Sequence, residues 1–474
     1  MSKLICISGS SGVGKTTLAK LFQYVLVLGS SDNVIILSGD DHHKWERSDL
    51  VWNTITHLNP EANNLDVGYS HISSLMQGES IQRRMYNHDT GKFDTAITVE
   101  PKQYIIYEGL HSMYRDDVNA MADIRIFVDT NTDLKVDWKV TRDVKKRGYT
   151  REQVIDTILL RKKDEEEFIN PQHRNADIVV KFDKNKNNAV SLEYINITGR
   201  GEDIMTQVKE FYDSMNDFVD VCKWLSLDPS LTQGRGGNVS IKSKNALIVK
   251  ASGYNMADIN LFHGFCVCDI PDSIPLFNSE LEYMQYINSS KRIGKTNPSM
   301  ETGFHMSMAD RVIVHTHPIH LNAILCSREA VTIIEEIFQD LAWKFIEYTR
   351  PGMNLVNRLR ENTTPECIFL ENHGLIVRAG TIDSAMALTS LINNRCKRWI
   401  SNHSESLVDC DQQIAHCNMP LFPDAAVLSD EMSSTNEYIL RLMTVAGLTP
   451  KFLDNREIDS LNSMDSEKYR KTLV

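Results

Sequence analysis

The sequence predicts an α/β protein of two domains: a mostly parallel sheet with helices on both faces, then an α/β domain whose sheet is mostly antiparallel. Three observations carry this. The chain has 474 residues, more than the roughly 250–300 at which one hydrophobic core stops growing. In the first part, short apolar runs (KLICIS 3–8, VIILS 34–38, YIIYE 104–108, IRIFVD 124–129 and DIVVKF 177–182) alternate with helix-like stretches, as in a sheet built from strand–helix–strand units. In the second part, ALIVKAS, RVIVHTH and ECIFLENHG alternate with the helical patterns VTIIEEIFQDLAWKFI and DSAMALTSLINNRCKRWI.

Composition narrows the class of protein. Hydrophobic residues make up 42% and charged residues 24%, as in ordinary globular chains. A net charge of -12 argues against nucleic acid as a partner, which needs a positive field, but leaves room for a local anion pocket. The apolar run Leu4 to Ile7 is too short for a signal segment or a membrane span. Nine scattered cysteines, an odd number, then fit reduced thiols in a cytoplasmic enzyme. Cys266 and Cys268 sit in GFCVCDI, which reads as a buried strand. YINITG (194–199) supplies one last strand to the first sheet. The polar stretch ITGRGEDIMT (197–206), with its two glycines, marks the boundary, giving domains 1–205 and 206–474, and a helix follows over about 205–225.

GSSGVGKT, Gly9 to Thr16, lies between the first strand and a helical pattern over 16–25. Gly9, Gly12 and Gly14 let the backbone N–H groups of Ser10, Ser11 and Val13 converge on phosphate oxygens, and Thr17 continues into the helix. Lys15 reaches β/γ-phosphates and the Thr16 hydroxyl suits Mg²⁺, so ATP is the expected nucleotide. Transfer to a hydroxyl also needs a base and a second carboxylate. SGDDHHKWER offers Asp40, Asp41, His43 and Arg47 after the second strand, and YEGLH places Glu108 at the carboxyl edge of the third, where ligands bind in such sheets.

These segments, with HLNPEANNLD (57–66), MYNHDTGKF (85–93), WKVTRDVKKRGYT (138–150) and INPQ (169–172), resemble phosphoribulokinase within the wider uridine-kinase-like group. The resemblance covers nearly all of residues 1–183 and implies a P-loop kinase fold. It implies Asp40 as the base, Glu108 as a metal-associated carboxylate, and His43, Arg47 and His88 at the sugar-phosphate end. It also implies Lys139, Arg142, Asp143, Arg147 and Arg161 around the transferring phosphoryl group. On spacing alone, the basic run 138–150 reads as a solvated helix face. Plant-type relatives carry a redox cysteine where this chain has Val13, and Cys6 lies on a buried strand, so thiol switching is not expected.

The second half carries a histidine constellation. In VIVHTHPIH, His315 and His317 are two apart on a strand-like run and so share a face. A bare H-x-H is more often structural, but His373 in FLENHGLIV ends another apolar run. Three histidines with an open position suit catalytic Zn²⁺. Aldol cleavage needs such a Lewis acid and a proton shuttle, for which Glu301 in NPSMETGFH is the candidate. GRGGNVS (234–240) and KASGY (250–254) are tight turns whose N–H groups and small side chains suit a phosphate.

In this order the segments are similar to the class II aldolase/adducin family, over about residues 210–400. The resemblance implies a class II aldolase-like fold, His315, His317 and His373 as zinc ligands, and Glu301 as acid/base. It implies a phosphate pocket from Asn238, Ser252, Gly253 and Ser299, and a homo-oligomer, a tetramer in relatives. Epimerases of the family usually carry Asp at the glutamate position, which favours aldol chemistry. Met300 replaces a common second serine, and the stretch between Glu301 and His315 is short, which trims its helix. His305 and His320 read as structural. Two functions stand side by side: kinase and lyase acting in turn on a sugar or sugar phosphate, or a kinase joined to an oligomerising scaffold. Dehydratase, decarboxylase or epimerase chemistry at the same metal stays open, and residues 401–474 carry no legible motif.

Overall fold

The computed structural model describes residues 2–29, 33–184, 190–244, 246–360, 365–404 and 419–472, without the side chains of residues 146 and 147. It divides into two compact units, Met1–Asp213 and Ser214–Val474. The division falls inside one helix, Glu202–Ser226. Gly199 and Gly201, both at positive φ, immediately precede this helix.

The first unit is built on β1 (Lys3–Gly9) and β2 (Val34–Ser38), two small ribbons from β3 (Ile81–Arg83), β4 (Tyr86–Asn87), β5 (Lys92–Phe93) and β6 (Ile97–Val99), and then β7 (Tyr104–Glu108), β8 (Ile124–Val128), β9 (Ile178–Lys184) and β10 (Val190–Asn196). The main sheet runs β10-β9-β8-β1-β7-β2. All its neighbours are parallel except β10, which returns antiparallel along β9. The strand read at 194–199 thus begins earlier, at Val190, and ends at Asn196. β1 is buried from Leu4 onward because both its faces are covered. Leu4 and Cys6 share a core with Ile72, Leu75 and Val118, while helix Lys15–Gly29 packs on β1, β2 and β7. That layering leaves the carboxyl ends of β1, β2 and β7 free to form a site.

The second unit holds β11 (Asn238–Ser243), β12 (Ala246–Lys250), β13 (Phe265–Asp269), β14 (Lys291–Ile293), β15 (Val312–Thr316), β16 (Trp343–Ile346), β17 (Cys367–Leu370) and β18 (Gly374–Ala379). They form one sheet in the order β14-β13-β12-β11-β15-β18-β17-β16, antiparallel throughout except between β16 and β17. GFCVCDI is the buried strand β13. The run VTIIEEIFQDLAWKFI does not stay helical: helix Ala330–Ile337 stops, and Trp343–Ile346 becomes β16. Its aromatic and branched residues favour a strand once a partner, β17, is available. Among the described residues no helix is long and apolar enough to cross a membrane.

Candidate active sites

In the first unit, β1 runs through the loop Ser10–Gly14 straight into helix Lys15–Gly29. Gly9, Gly12 and Gly14 all take positive φ, where a side chain is strained. Space forbids one as well. A Cβ on Gly9 would stand 2.5 Å from the Val128 carbonyl oxygen, and one on Gly14 2.8 Å from the Phe182 ring. Thr130 Oγ1 donates to Val13 O at 2.6 Å, and Lys15 Nζ donates to Ser10 O at 2.8 Å. Cys6 lies beneath, its thiol pushed up to about 12 by burial.

Ser38 and Glu108 end β2 and β7 as register partners. The chains cross so closely just beyond that a Cβ on Gly109 would lie 2.9 Å from Gly39 Cα. Glu108 Oε1 accepts from Thr16 Oγ1 and from Ser38 Oγ, each at 3.4 Å. Burial raises the Glu108 carboxyl, opposed by the Lys15 ammonium. Asp40 sits in the turn Gly39–His42, with Nε2 of His43 at 3.5 Å and of His88 at 3.3 Å. Burial would raise its carboxyl, but the His88 hydrogen bond and the charges of His43, His88 and His57 hold it well below the usual range. Arg47 Nη2 donates to the His88 carbonyl at 2.5 Å, so Arg47 and His88 do stand together. Asp41 is turned away, accepting from Arg83 Nε and Tyr86 N, each at 2.7 Å. Sequence reasoning missed the rings set edge-on around His43: Trp52, His57 and Tyr86, at 5.7, 6.1 and 5.2 Å. Trp52 and His57 come from the turn Leu50–Asn53 and the stretch after it, and Tyr86 from β4, with no common spacing.

The basic run 138–150 is not a solvated face throughout. It lies in helix Thr132–Arg147, and Lys139 is buried beside the loop, its Cβ 3.2 Å from where a Gly12 Cβ would be. Burial, then the charges of Arg161 and Arg142, push the Lys139 amine down to about 7. Arg142 Nε bonds Asp143 Oδ1 at 2.8 Å. Arg161, from helix Arg151–Asp164, also faces His57. The Arg147 side chain lies outside the described residues. Lys135, which the motif reading passed over, bonds Ser10 Oγ at 3.4 Å and Glu165 at 2.5 Å.

In the second unit, His315, His317 and His373 offer ligand atoms all within 4.8 Å of one another. β15 delivers the first two, and the turn between β17 and β18 delivers the third through Asn372, itself at positive φ. Nε2 of His315 and Nε2 of His317 are 3.1 Å apart. Nδ1 of His315 lies 2.9 Å from Leu375 O, and Nδ1 of His317 lies 3.2 Å from Asp424 Oδ2. Glu301 Oε1 points at the same place, 3.5 Å from His315 Nε2 and 3.4 Å from His373 Nε2, with no closer polar partner. Burial pushes His315 down to about 3. For Glu301, burial acts upward but is outweighed by the three imidazoles, which hold the carboxyl well below the usual range. The Tyr283 hydroxyl props the Glu301 turn, donating to Met300 O at 2.5 Å and accepting from Gly303 N at 3.2 Å. The following helix, Thr302–Ser307, has six residues.

A cleft joins Glu301, His317 and His373 to Asn238, Ser252, Gly253 and Ser299. Met300 lines it too. Asn238 Oδ1 is buried without a hydrogen-bond partner. Three cations escaped the sequence reading here: Arg235, Lys250 and Arg470. Burial lowers the Lys250 amine to about 8, with the Arg470 charge adding to this. Residues 401–474, silent in sequence, supply Pro423, Asp424, Ser466, Glu467 and Arg470 to this chain's own cleft. His305 and His320 stand apart from the cluster and bond Ser240 Oγ and Asn393 Oδ1 at 2.8 and 3.2 Å.

Comparison with known proteins follows the same division. The model of the phosphoribulokinase / uridine kinase family matches residues 4–189, and that of the class II aldolase and adducin N-terminal domain matches residues 216–400. Phosphoribulokinase of Synechocystis sp. is 35% identical over 37% of this chain and 52% of its own length. Uridine kinase of Halalkalibacterium halodurans is 31% identical over 37% of this chain and 84% of its own. The chain thus spans about half the length, or less, of the curated phosphoribulokinases it matches. A class II aldolase domain from Thermoplasma acidophilum aligns at 23% identity and a TM-score of 0.36, over 39% of this chain and 93% of that one.

Proposed function

Because the chain belongs to the phosphoribulokinase / uridine kinase family in its first unit and carries a class II aldolase and adducin domain in its second, we propose that it is a bifunctional sugar-metabolising enzyme, an ATP-dependent sugar or sugar-phosphate kinase joined to a Zn²⁺-dependent lyase of aldol type. In the kinase reaction the loop Gly9–Thr17 cradles the ATP phosphates. Thr16 and Glu108 would hold Mg²⁺, which offsets phosphate charge. Asp40 takes the proton from the acceptor hydroxyl, and Lys15, Lys139, Arg142 and Arg161 neutralise the charge spreading over the transferring group. Arg47, His43 and His88 face an acceptor that is itself anionic.

One observation carries the lyase half. Nδ1 of His315 lies against the Leu375 carbonyl, an acceptor only, which leaves its Nε2 lone pair directed at the cluster when the ring is neutral. That Nε2 stands 3.1 Å from His317 Nε2, and the ligand atoms of His315, His317 and His373 all lie within 4.8 Å of one another, a spacing that one shared cation would satisfy. Three imidazoles and an open position fit zinc, which when bound supplies a Lewis acid for a ketose carbonyl and its neighbouring hydroxyl. Asn238, Ser252, Gly253 and Ser299 bind the substrate phosphate, with Lys250 as counter-charge. Glu301, held as a carboxylate, takes the proton of the hydroxyl on the carbon that becomes the aldehyde and, once the carbon–carbon bond has broken, returns it to the carbon left in the phosphorylated fragment. The products are that aldehyde and a small phosphorylated fragment.

The test is to supply ketoses and pentose phosphates with ATP, Mg²⁺ and Zn²⁺, following ADP and aldehyde together. Aldehyde that appears only after ADP supports sequential action on one metabolite. A compound phosphorylated but never cleaved by the zinc-loaded protein breaks that sequence.

A further inference from the structure

Residues 419–472 lie beyond the matched aldolase domain, yet they reach the imidazole cluster. Asp424, near the start of helix Pro423–Val427, is 5% exposed. Its Oδ2 stands 3.2 Å from His317 Nδ1, and its Oδ1 accepts from Arg470 Nη1 at 2.7 Å. Arg470, on helix Asp465–Thr472, is held in turn: its carbonyl accepts from Arg235 Nη1 at 3.1 Å, and Glu467 Oε2 lies 3.6 Å from Nη1. The contact is closely packed. A Cβ on Gly236 would stand 2.7 Å from Asp424 Oδ2 and 2.9 Å from His317 Nδ1, although Gly236 itself is not at positive φ.

We propose that Asp424 and Arg470 are a positioning pair for the metal site, Asp424 fixing the ring of His317 so that Nε2 meets that of His315, and Arg470 fixing Asp424. The argument is one of orientation. An imidazole that must offer Nε2 to a cation needs an acceptor on Nδ1, and His315 has the Leu375 carbonyl for this. His317 has no backbone carbonyl in that role and takes a side chain brought from over a hundred positions away, whose aim needs its own anchor. Gly236 leaves room for that side chain and for nothing larger than hydrogen in its place. The inference rests on the metal-site reading above.

The experiment titrates the chelator-stripped full chain with Zn²⁺ against a competing chromophoric chelator, and records the visible spectrum of the Co²⁺-loaded form. Asp424→Ala is expected to weaken Zn²⁺ binding roughly 10- to 100-fold and to change the Co²⁺ bands. Arg470→Met and Gly236→Ala, which leave both His317 and the Asp424 carboxylate present, are expected to shift both readouts in the same direction by less. Thermal unfolding of the stripped proteins checks folding, and Arg470→Met carries the test if Asp424→Ala does not fold. Variants that bind Zn²⁺ within twofold of the parent, with unchanged Co²⁺ bands, overturn the pairing. A parent chain that takes up no Zn²⁺ overturns the metal-site reading, and the pairing with it.

Discussion

Asn238 and His315 are register partners on the adjacent strands β11 and β15. A residue lining the cleft and a residue of the imidazole cluster are therefore spaced by a backbone ladder, not by loops. The buried Asn238 Oδ1 has no hydrogen-bond partner within the protein, so it is free to meet a group entering the cleft.

Asn238→Ala is accordingly expected to raise KM for a phosphorylated substrate about tenfold, the worth of one hydrogen bond to a charged group, and to leave zinc content unchanged. Steady-state kinetics with metal analysis checks this. A lost metal would show that the ladder position matters for the imidazoles instead.

Chelation is expected to abolish aldehyde formation, with ADP formation restored by Mg²⁺ alone. His315→Ala should behave as the chelated protein does. Aldehyde release that survives both treatments removes the metal from the chemistry.

Asp40→Asn is expected to lower kcat of phosphorylation by roughly 10²- to 10⁴-fold, the usual range for a general base, without weakening ATP binding. The carboxylate lies 3.5 Å from His43 Nε2 and 3.3 Å from His88 Nε2, on the acceptor side, and nucleotide titration of the variant checks that its loss leaves ATP binding intact.

Gly14→Ala combines strain at φ +100° with a 2.8 Å approach to Phe182. It is expected to cost about 1–3 kcal/mol and to weaken ATP binding. Thermal unfolding with and without ATP measures both.

His305 bears on pH. Burial pushes its imidazole down to about 3, from 6.5 in an open chain. The folded state then holds it neutral where the unfolded state binds a proton, so stability is kept above pH 6.5 and lost as pH falls toward 3. Between pH 7 and 5 the expected loss from this residue is about 1–2 kcal/mol. Urea unfolding of the metal-free protein should show it, and His305→Gln should flatten the dependence.

How much was legible depended on whether the chemistry repeats locally. The glycine loop, Asp40, Glu108 and the three histidines each lie at or just past an apolar run, so strand patterning and motif agree on where they point, whereas Glu301 was legible from its motif alone. Trp343–Ile346 was read as helix because its apolar spacing continues that of the preceding turn, and only the partner strand β17 decides otherwise. Asp424 sits in the short helix Pro423–Val427, and Glu467 and Arg470 in the polar helix Asp465–Thr472, neither with a motif to mark a site. Lys135 was passed over, and His57, though it begins the segment HLNPEANNLD, was given no role, because the significance of each lies in what the fold sets beside it.

The hydrogen bond from Arg235 to the carbonyl of Arg470 spans 235 positions. At ribosomal speeds of roughly 5–20 residues per second, its two ends leave the ribosome on the order of 10–50 seconds apart. The first unit's sheet can close while translation is still under way, whereas the cleft beside the three imidazoles stays unfinished until helix Asp465–Thr472 has been made. A product halted near residue 400 would carry all three imidazoles and Glu301 yet lack the group that holds Asp424, and Asp424 itself.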